Sequence, residues 1–473
     1  MNSTVKKFSP FGAKDKIGYL FGDFGNDFTF LLSSSFLLKF YTDVMGVSAG
    51  IVGIIMMLAR FVDAFTDVAM GRLSDRSKIT RAGKFKPWIL RMCGPVAISS
   101  FLIYQSSFAE RPLVFKVIWL FVTYILWGSI FYTSINIPYG SMSSTISAEP
   151  EDRQSLSTFR TMGSTLAGAI IGIGVPLFAY KTVDGLTKLD GSSFTTIAGI
   201  FSLLAVICYL LCYFLITERV HPASHGATEQ SSIGHLLASA FRNRALLSII
   251  FASVLMLLSQ LTMQSMSNYV YPNYYNNAAA QSISTLTMLI GMLIAAGIAK
   301  PISRLIGKAE ISVISAALAS GISVLLFLVR PESVWVYIGL SFISWLGLGI
   351  FAMVSWALIT DVIDYSEVKN GRREDGTIYA MYSFSRKLGQ AASAGLTGLL
   401  LEIIGYSQEN AFNERVLNGI FNISTLVPAI GFAMLALILW FWYPLHKKEV
   451  HKNVEFLRQK RENHTKKIDT GEG

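Results

Sequence analysis

The chain has 473 residues and a formal net charge of +10, yet 52% of its residues are hydrophobic and only 15% are charged. A soluble protein of this length carries roughly a quarter charged residues, so the composition indicates a membrane protein. The basic residues fall in short segments between apolar runs, which argues against nucleic-acid binding and agrees with the positive-inside rule.

Apolar runs of about 20 residues, the length that spans a bilayer as a helix, recur along the whole chain. Together they predict an all-α membrane protein with twelve transmembrane helices. Polar residues weaken the first, fourth and eleventh of these runs. The predicted spans are 17–40, 49–71, 88–108, 114–138, 156–180, 194–216, 245–270, 279–299, 311–329, 334–359, 378–404 and 419–444.

Two of the first helices carry paired acids at membrane depth. Asp23 and Asp27 on helix one, and Asp63 and Asp67 on helix two, are each spaced four residues apart, so each pair shares one helix face. Two carboxylates that close repel each other unless a cation or hydrogen-bond donors lie between them. Their hard oxygen atoms suit Na⁺ or a shared proton, so the helix-two pair is a candidate ion site.

A basic loop follows the helix-two acids and sets the predicted orientation. It begins with Arg72, Asp75 and Arg76 and continues to Lys86. Together with the basic residues after helix eight and in the tail, it predicts that both termini are cytoplasmic. We expect the loop to act as a gate, and acids near the end of helix ten, Asp361 and Asp364, are its candidate partners.

Further polar residues inside predicted helices lie on helices four, five and eleven. Helix four ends in YTSINIPYG, which contains Thr133 and Asn136, and Arg160 lies in the first turns of helix five. Helix eleven carries Arg386 and Lys387. Charges at membrane depth are costly, so we expect these charged residues to face a cavity or a partner.

The longest polar interruption divides the helices six and six. We therefore predict an N-terminal six-helix bundle (1–216), a cytoplasmic connector (217–244), a C-terminal six-helix bundle (245–445) and a cytoplasmic tail (446–473). GRLSDR after helix two is echoed by AKPISRLIGK after helix eight. Two such halves predict the major facilitator superfamily fold, with a site at the midplane between the bundles.

Several motifs resemble the glycoside–pentoside–hexuronide:cation symporter family over nearly the whole chain. They are FYTDV at 40–44, ARFVDAFTDVAMG at 59–71, GKFKPW at 83–88, NIPYGSM at 136–142, WALITDVIDYSEVKNGRR at 356–373 and YSFSRKLGQA at 382–391. The resemblance implies a secondary active transporter of the cell membrane, not an enzyme. It also implies a sugar and a monovalent cation as partners, no cofactor, and action as a monomer.

The resemblance also implies roles for single residues. Asp63, Asp67 and Thr133 match the cation-binding residues of the family. The matching substrate-binding residues are Asp27, Asn136, Arg160, Arg386 and Lys387. Thr66 and Asn136 depart from the melibiose-permease pattern, in which an amide and an acid stand at these places.

The sequence leaves the ion and the sugar open. The coupling ion is a proton or sodium. If it is sodium, Asp63 and Asp67 are the expected ligands of this metal ion. The neutral Asn136 beside several cations slightly favours an acidic sugar such as a glucuronide over a neutral glycoside or pentoside. The alternative function is a sodium-dependent lipid or lysolipid transporter of similar fold, against which the charges at the midplane argue.

Overall fold

The computed structural model describes residues 10–220, 243–370 and 375–469, and it is almost entirely helical there. In the first half of the chain the helices are α1 (Ala13–Asp43), α2 (Ala49–Asp75), α3 (Lys86–Ile103), α4 (Leu113–Ile125), α5 (Thr133–Ile146), α6 (Pro150–Phe178) and α7 (Gly191–Leu215). In the second half they are α8 (Arg244–Tyr269), α9 (Ala278–Ile306), α10 (Lys308–Val329), α11 (Val334–Asn370), α12 (Asp375–Ile403), α13 (Glu414–Leu437) and α14 (Lys447–Asp469). A short 3₁₀ turn, Ser106–Phe108, precedes α4.

The twelve predicted spans all coincide with helical segments in the described ranges, which confirms the all-α prediction. α4 and α5 form one continuous span, and α14 is an additional helix within the predicted tail. Nine described segments are apolar enough to cross a membrane by length and composition. The fourth span is one of the nine, so the expectation that it is weak was wrong. The short α3, which contains Lys86 and Arg91, is weak instead.

Within the described ranges, three spans contain a π-helical turn that hydropathy does not reveal. The turns are Leu126–Tyr132 between α4 and α5, Val270–Tyr274 after α8, and Ile438–Trp442 after α13. A π turn holds more residues than an α turn and therefore rotates the side chains that follow it, frequently at functional sites. The first two of these turns carry residues of the sites described below.

A small β-hairpin follows α6, where the sequence analysis predicted only a loop between two helices. Tyr180–Val183 pairs antiparallel with Leu186–Leu189 around Asp184 and Gly185, both at positive φ, an Asp-Gly turn suited to hairpins. After the hairpin, Asp190 caps α7 by accepting a hydrogen bond from the Ser193 amide. Partial burial opposes ionisation of Asp190, but hydrogen bonds from Lys181, Ser192 and Ser193 outweigh it and lower the pKa of Asp190 below its usual value.

The described chain falls into two compact units. The first comprises Met1–Thr228, Ser267–Thr285 and Ala394–Ile420, and the second comprises Glu229–Met266, Leu286–Ser393 and Phe421–Gly473. The first unit therefore includes the ends of α8, α9 and α12 from the second half of the chain. The predicted division in chain order, 1–216 and 245–445, stays a prediction. Most of the predicted connector, 221–242, lies outside the described residues.

Each unit has its own packed interior. In the first unit, α1 packs against α6 and α7. At one crossing, a Cβ on Gly22 would collide with the Tyr139 ring, so only glycine lets α5 come this close. In the second unit, buried residues such as Trp345, Phe351 and Tyr382 form the core. Large apolar side chains on the outside, such as Phe65 at 78% exposure, are expected of helices that face lipid.

Candidate functional site

The predicted ion pair of acids lies against two hydroxyl side chains of the neighbouring span. Ser129 donates a hydrogen bond of 2.6 Å to Oδ1 of Asp63, and Thr133 lies 3.0 Å from Oδ1 of Asp67. Both contacts join residues 66 positions apart, so the two segments run parallel and in register. Ser129 and Thr133 are themselves four residues apart and match the spacing of the two acids.

The π turn makes this match possible. Ser129 lies within the turn Leu126–Tyr132 and Thr133 follows it directly. The Thr133 hydroxyl also lies 3.1 Å from the Gly128 carbonyl oxygen, which belongs to the same turn. Ser129 and Thr133 are both buried, at 2% and 4% exposure. Carboxylate, hydroxyl and carbonyl oxygens therefore gather in one place, as a hard monovalent cation or a shared proton requires.

Arg60 is a member of this cluster that the sequence analysis missed. Its Nη1 atom lies 3.2 Å from Oδ2 of Asp63, and its guanidinium stacks on the Phe30 ring at 4.9 Å. The sequence analysis did not single out Arg60, although a separation of three residues on a helix permits this pair. Asp63 therefore has a positive partner within the protein, and the expectation that the acids need an external counter-ion holds less strictly for it.

The predicted substrate residues of the first half gather around the helix-one acids. Asp23 accepts a hydrogen bond of 3.0 Å from Nε of Arg160 and forms an ion pair with it. Asp27 lies one helical turn further along α1 and is buried, at 8% exposure. The sequence analysis noted Asp23 only as the neighbour of Asp27. In the structure Asp23 is the acid that pairs with Arg160.

Asn136 belongs to a short chain of polar side chains beside this ion pair. Its Oδ1 lies 3.4 Å from Nδ2 of Asn26, whose own Oδ1 accepts a 2.9 Å hydrogen bond from Tyr209. Asn26 is 1% exposed and was missed by the sequence analysis. Its place between Asp23 and Asp27 on α1 was the available signal, because residues three apart can share a face.

Aromatic rings form one wall of the same site. Tyr19 and Tyr139 stack at 4.6 Å between centroids, and each hydroxyl donates to the backbone carbonyl of the other residue. The Arg160 guanidinium lies over the Tyr139 ring at 5.3 Å. This stacking and the ion pair with Asp23 hold Arg160 in one orientation, with Nη1 near Gly140.

The predicted helix-eleven cations belong to the second unit. The Arg386 guanidinium lies over the Trp356 ring at 5.6 Å, on a helix that also carries the half-exposed Lys387. The aromatic stack gives Arg386 a packing role in addition to any substrate role. Nothing in the structure tests the substrate assignment of these two residues, which stays a prediction.

The predicted gating residues fall into two groups. Arg72, Asp75 and Arg76 are exposed at the end of α2. Asp361 is buried in the second unit, where Lys308 pairs with it at 2.6 Å, and Asp364 is half-buried on the same helix. Asp361 therefore has a strong partner within its own unit, and its pairing with the basic loop stays a prediction.

Glu218 anchors the basic loop, a contact that the sequence analysis did not predict. Its carboxylate accepts hydrogen bonds from the backbone amides of Lys84, Phe85 and Lys86 at 2.9, 2.9 and 2.8 Å. Gly83 adopts φ +123°, and a Cβ there would lie 2.5 Å from the Glu218 carboxylate. The start of α3 is therefore fixed to the end of α7 by a buried acid.

The sequence model of the family described as MFS/sugar transport protein matches residues 18–447. The uncharacterized symporter YjmB of Bacillus subtilis (strain 168) is 31% identical over 451 residues, covering 94% of this chain and 95% of that protein. The glucuronide carrier protein homolog of Escherichia coli (strain K12) is 29% identical, with 92% and 93% of the two chains covered. The isoprimeverose transporter of Lactiplantibacillus pentosus is 30% identical, with 90% and 88% covered.

A solved structure supports the fold independently of sequence. A bacterial homologue of the iron transporter ferroportin, in an inward-facing state, superposes with a TM-score of 0.64 at 12% identity, covering 91% of this chain and 98% of that chain. At this identity the likeness concerns the fold alone. Together with the match to the family model, it confirms the predicted major facilitator fold.

Proposed function

Because this chain belongs to the MFS/sugar transport protein family, we propose that it is a cation-coupled sugar symporter that works by alternating access. The chain is a multi-pass membrane protein of a family of transporters rather than enzymes. We propose the cell membrane as its location, a monomer as its working form, and cytoplasmic termini.

Labelling of single cysteines tests the proposed orientation. If cysteine replaces Arg81 in the basic loop or Lys181 in the hairpin, an impermeant thiol reagent added outside the cell should label only the cysteine at position 181.

One observation carries this proposal: a single helix bears contacts of both sites. Thr133 and Asn136 are three residues apart on α5, so they lie about one turn from each other. Thr133 touches the Asp67 carboxylate, and Asn136 touches Asn26 beside the Asp23–Arg160 ion pair. A cation that draws Thr133 towards Asp67 therefore also moves or fixes Asn136.

This connection supplies the coupling that symport needs. Cation binding to the Asp63–Asp67 cluster and sugar binding at Asn136 would each favour the same position of α5, which is a reciprocal coupling free energy. We assign Asp63, Asp67, Ser129 and Thr133 to the cation, which is sodium or a proton. We assign Asp27, Asn136 and Arg160 to the sugar, and the role of Arg386 and Lys387 in sugar binding stays a prediction.

The charge of the site bears on the class of sugar. Asp23 pairs with Nε of Arg160 at 3.0 Å, and Nη1 is the atom nearest to the place that a Cβ on Gly140 would take, at 3.8 Å. A guanidinium presented in this way binds a carboxylate well, which favours a hexuronide such as a glucuronide. The name of the glucuronide carrier homolog agrees with this choice, whereas isoprimeverose, named for another relative, represents the neutral alternative.

The alternative occupant, a lysolipid, fits these residues less well. A long acyl chain needs an apolar surface, whereas the residues described here include four carboxylates and two guanidinium groups: Asp23, Asp27, Asp63, Asp67, Arg60 and Arg160. An acyl chain packed against these charged groups would remove them from water without offering a hydrogen bond, which costs free energy.

Uptake into proteoliposomes that contain the purified protein tests the function directly. A radiolabelled glucuronide, the matching glucoside and a lysophosphatidylcholine are offered with an inward Na⁺ gradient, an inward proton gradient or neither. We expect accumulation of the glucuronide, and less of the glucoside, only with one of the gradients. Lysolipid uptake without sugar uptake would replace the proposal with the alternative. Equal sugar entry under all three conditions would refute coupling.

A further inference from the structure

A buried ion pair lies at the end of α1 that is farthest from the basic loop. Lys39 is 1% exposed, and its Nζ atom lies 2.7 Å from Oδ2 of Asp43, one turn further along the helix. The other end of α1 carries Asp15, which pairs with Arg219 beside the loop anchor Glu218. The 24 residues between Asp15 and Lys39 correspond to about 36 Å along a helix, more than the hydrocarbon thickness of a bilayer.

The partners that complete this ion pair come from the second half of the chain. Lys39 donates to Oδ1 of Asn273 at 2.6 Å and to the hydroxyl of Tyr406 at 2.8 Å. Tyr406 in turn donates to Oδ1 of Asp43 at 2.7 Å, and the Tyr269 ring lies 4.4 Å from Nζ. Three segments that are distant in sequence therefore enclose one positive charge, all within the first unit.

We name this junction the Lys39 seam. On one side it comprises residues 35–57 and 172–187, and on the other side residues 267–285 and 394–406. Further contacts join the two sides. The Asn268 amide donates to the Ser35 carbonyl, and Glu402 accepts from the backbone amide of Gly50 at the start of α2. There, a Cβ on Gly53 would lie 2.9 Å from the Ala394 carbonyl oxygen, so α2 and α12 touch through backbone.

The seam also includes α6 and the hairpin. Ser282 and Thr285 of α9 donate to the carbonyls of Ile173 and Gly172, at 2.8 and 3.1 Å. Asn276 accepts from the Thr187 amide and donates to the Gly185 carbonyl. Segments of both halves of the chain are thus joined across the whole seam, and Lys39 is its most deeply buried charge.

We propose that Lys39 is a positioning residue of the transport cycle: it holds the Lys39 seam closed, and this seam is the gate on the side opposite the basic loop. This inference rests on the proposed alternating access. When the seam opens, Asn273 and Tyr406 leave Lys39, and water replaces their hydrogen bonds. In the closed seam the two charges compensate each other, so removal of only one leaves the other buried without its partner and destabilises the closed state.

Distances across the seam test this directly, without any substrate. Spin labels are placed on two exposed positions, Arg111→Cys and Glu409→Cys, in a protein whose three native cysteines are replaced by serine. We expect a short distance in the parent protein. Lys39→Met should raise the ratio of the long-distance to the short-distance population at least about tenfold, equivalent to about 1.4 kcal/mol.

Two matched variants separate the charge account from a general loss of packing. Lys39→Met combined with Asp43→Asn buries no unpaired charge, so its distances should return towards those of the parent. Lys452→Met removes the lysine of an exposed ion pair outside the seam and should change nothing. Unchanged distances in Lys39→Met would overturn the proposal. A larger opening in Lys39→Met combined with Asp43→Asn than in Lys39→Met alone would also overturn it.

If Lys39→Met does not fold, Asn273→Ala provides the test with the same labels. It removes one neutral hydrogen-bond acceptor of Lys39 and should lengthen the distances to a smaller degree, about three- to tenfold in the population ratio. Unchanged distances in folded Asn273→Ala would then overturn the gate assignment. Because no uptake is measured, a wrong assignment of sugar or ion would leave this result untouched.

Discussion

Nη1 of Arg60 lies 3.2 Å from Oδ2 of Asp63, and the two side chains are only 13% and 14% exposed. The carboxylate that begins the ion cluster is thus compensated by a cation of the same helix before any ion arrives. This arrangement lowers the attraction of the cluster for an external cation and so allows the ion to leave again. In our account, Arg60 sets the affinity for the coupling ion.

Replacement of Arg60 by methionine should strengthen cation binding. At an effective dielectric constant of about 20, a unit charge at this distance contributes several kcal/mol, of which solvent and relaxation remove a large part. We expect the concentration of coupling ion that gives half-maximal sugar uptake to fall at least about tenfold. Arg91→Met, on an exposed position of α3, is the control. A folded Arg60→Met protein with an unchanged or raised value would contradict this role.

Loss of the Ser129 hydroxyl should weaken cation binding. Ser129→Ala removes the group that donates to Asp63 at 2.6 Å and, in our assignment, an oxygen ligand of the ion. We expect the half-maximal ion concentration to rise about 10- to 100-fold, if the lost contact between the ion and this oxygen is comparable to a hydrogen bond to a charged group. Ser129→Thr should restore it. Ser34→Ala, whose hydroxyl bonds only within α1, should behave as the parent protein, and a similar change there would deny Ser129 a specific role.

Asp23→Asn should change the preference between charged and neutral sugars. The substitution leaves Arg160 without its anionic partner, so a sugar carboxylate can take that place. Competition against a labelled glucuronide should then show tighter binding of the glucuronide relative to the matching glucoside, by about tenfold. Arg160→Lys, which lacks the planar fork, should shift the ratio in the opposite direction. Parallel changes for both sugars would exclude Arg160 from recognition of the carboxylate.

Glu218→Ala should loosen the basic loop without touching the proposed sites. Three backbone amides lose a buried charged acceptor, at a cost of about 2–4 kcal/mol in total. We expect a lower thermal unfolding temperature and faster trypsin cleavage at the exposed Arg81. Glu151→Ala, an exposed acid at the start of α6, serves as the matched control. Cleavage of both variants at the parental rate would show that Glu218 does not hold the loop.

Hydrophobic run length was sufficient to place the twelve spans, since each helix must satisfy its own backbone in lipid. Residues on one side of a single helix could also be predicted, because the Asp63–Asp67 pair depends only on their spacing in the sequence. The contact between Asp63 and Ser129 could not be predicted from spacing. Ser129 reaches it through a π turn, and a period of 3.6 residues does not indicate where an additional residue enters a helix.

Contacts between distant segments form a second class that the sequence did not reveal. Lys39 lies directly before the FYTDV motif, yet its partners Asn273 and Tyr406 are more than 200 residues away along the chain. Glu218 likewise binds a loop some 130 residues before it. A buried lysine in a predicted span was a signal of some unknown partner, because an isolated charge there would be too costly. Only the packing of the helices identifies that partner.

The comparison of active uptake with counterflow in Asp63→Asn and Asp67→Asn tests the central claim, that these acids couple a cation gradient to sugar movement. Both substitutions keep the side-chain size and remove the charge that attracts the cation, while Asp27, Asn136 and Arg160 remain. Our account predicts that accumulation of a labelled glucuronide is lost under both Na⁺ and proton gradients, while counterflow without a gradient persists weakly. If both variants still concentrate the sugar at the parental level, the acid pair is structural and the coupling mechanism is wrong.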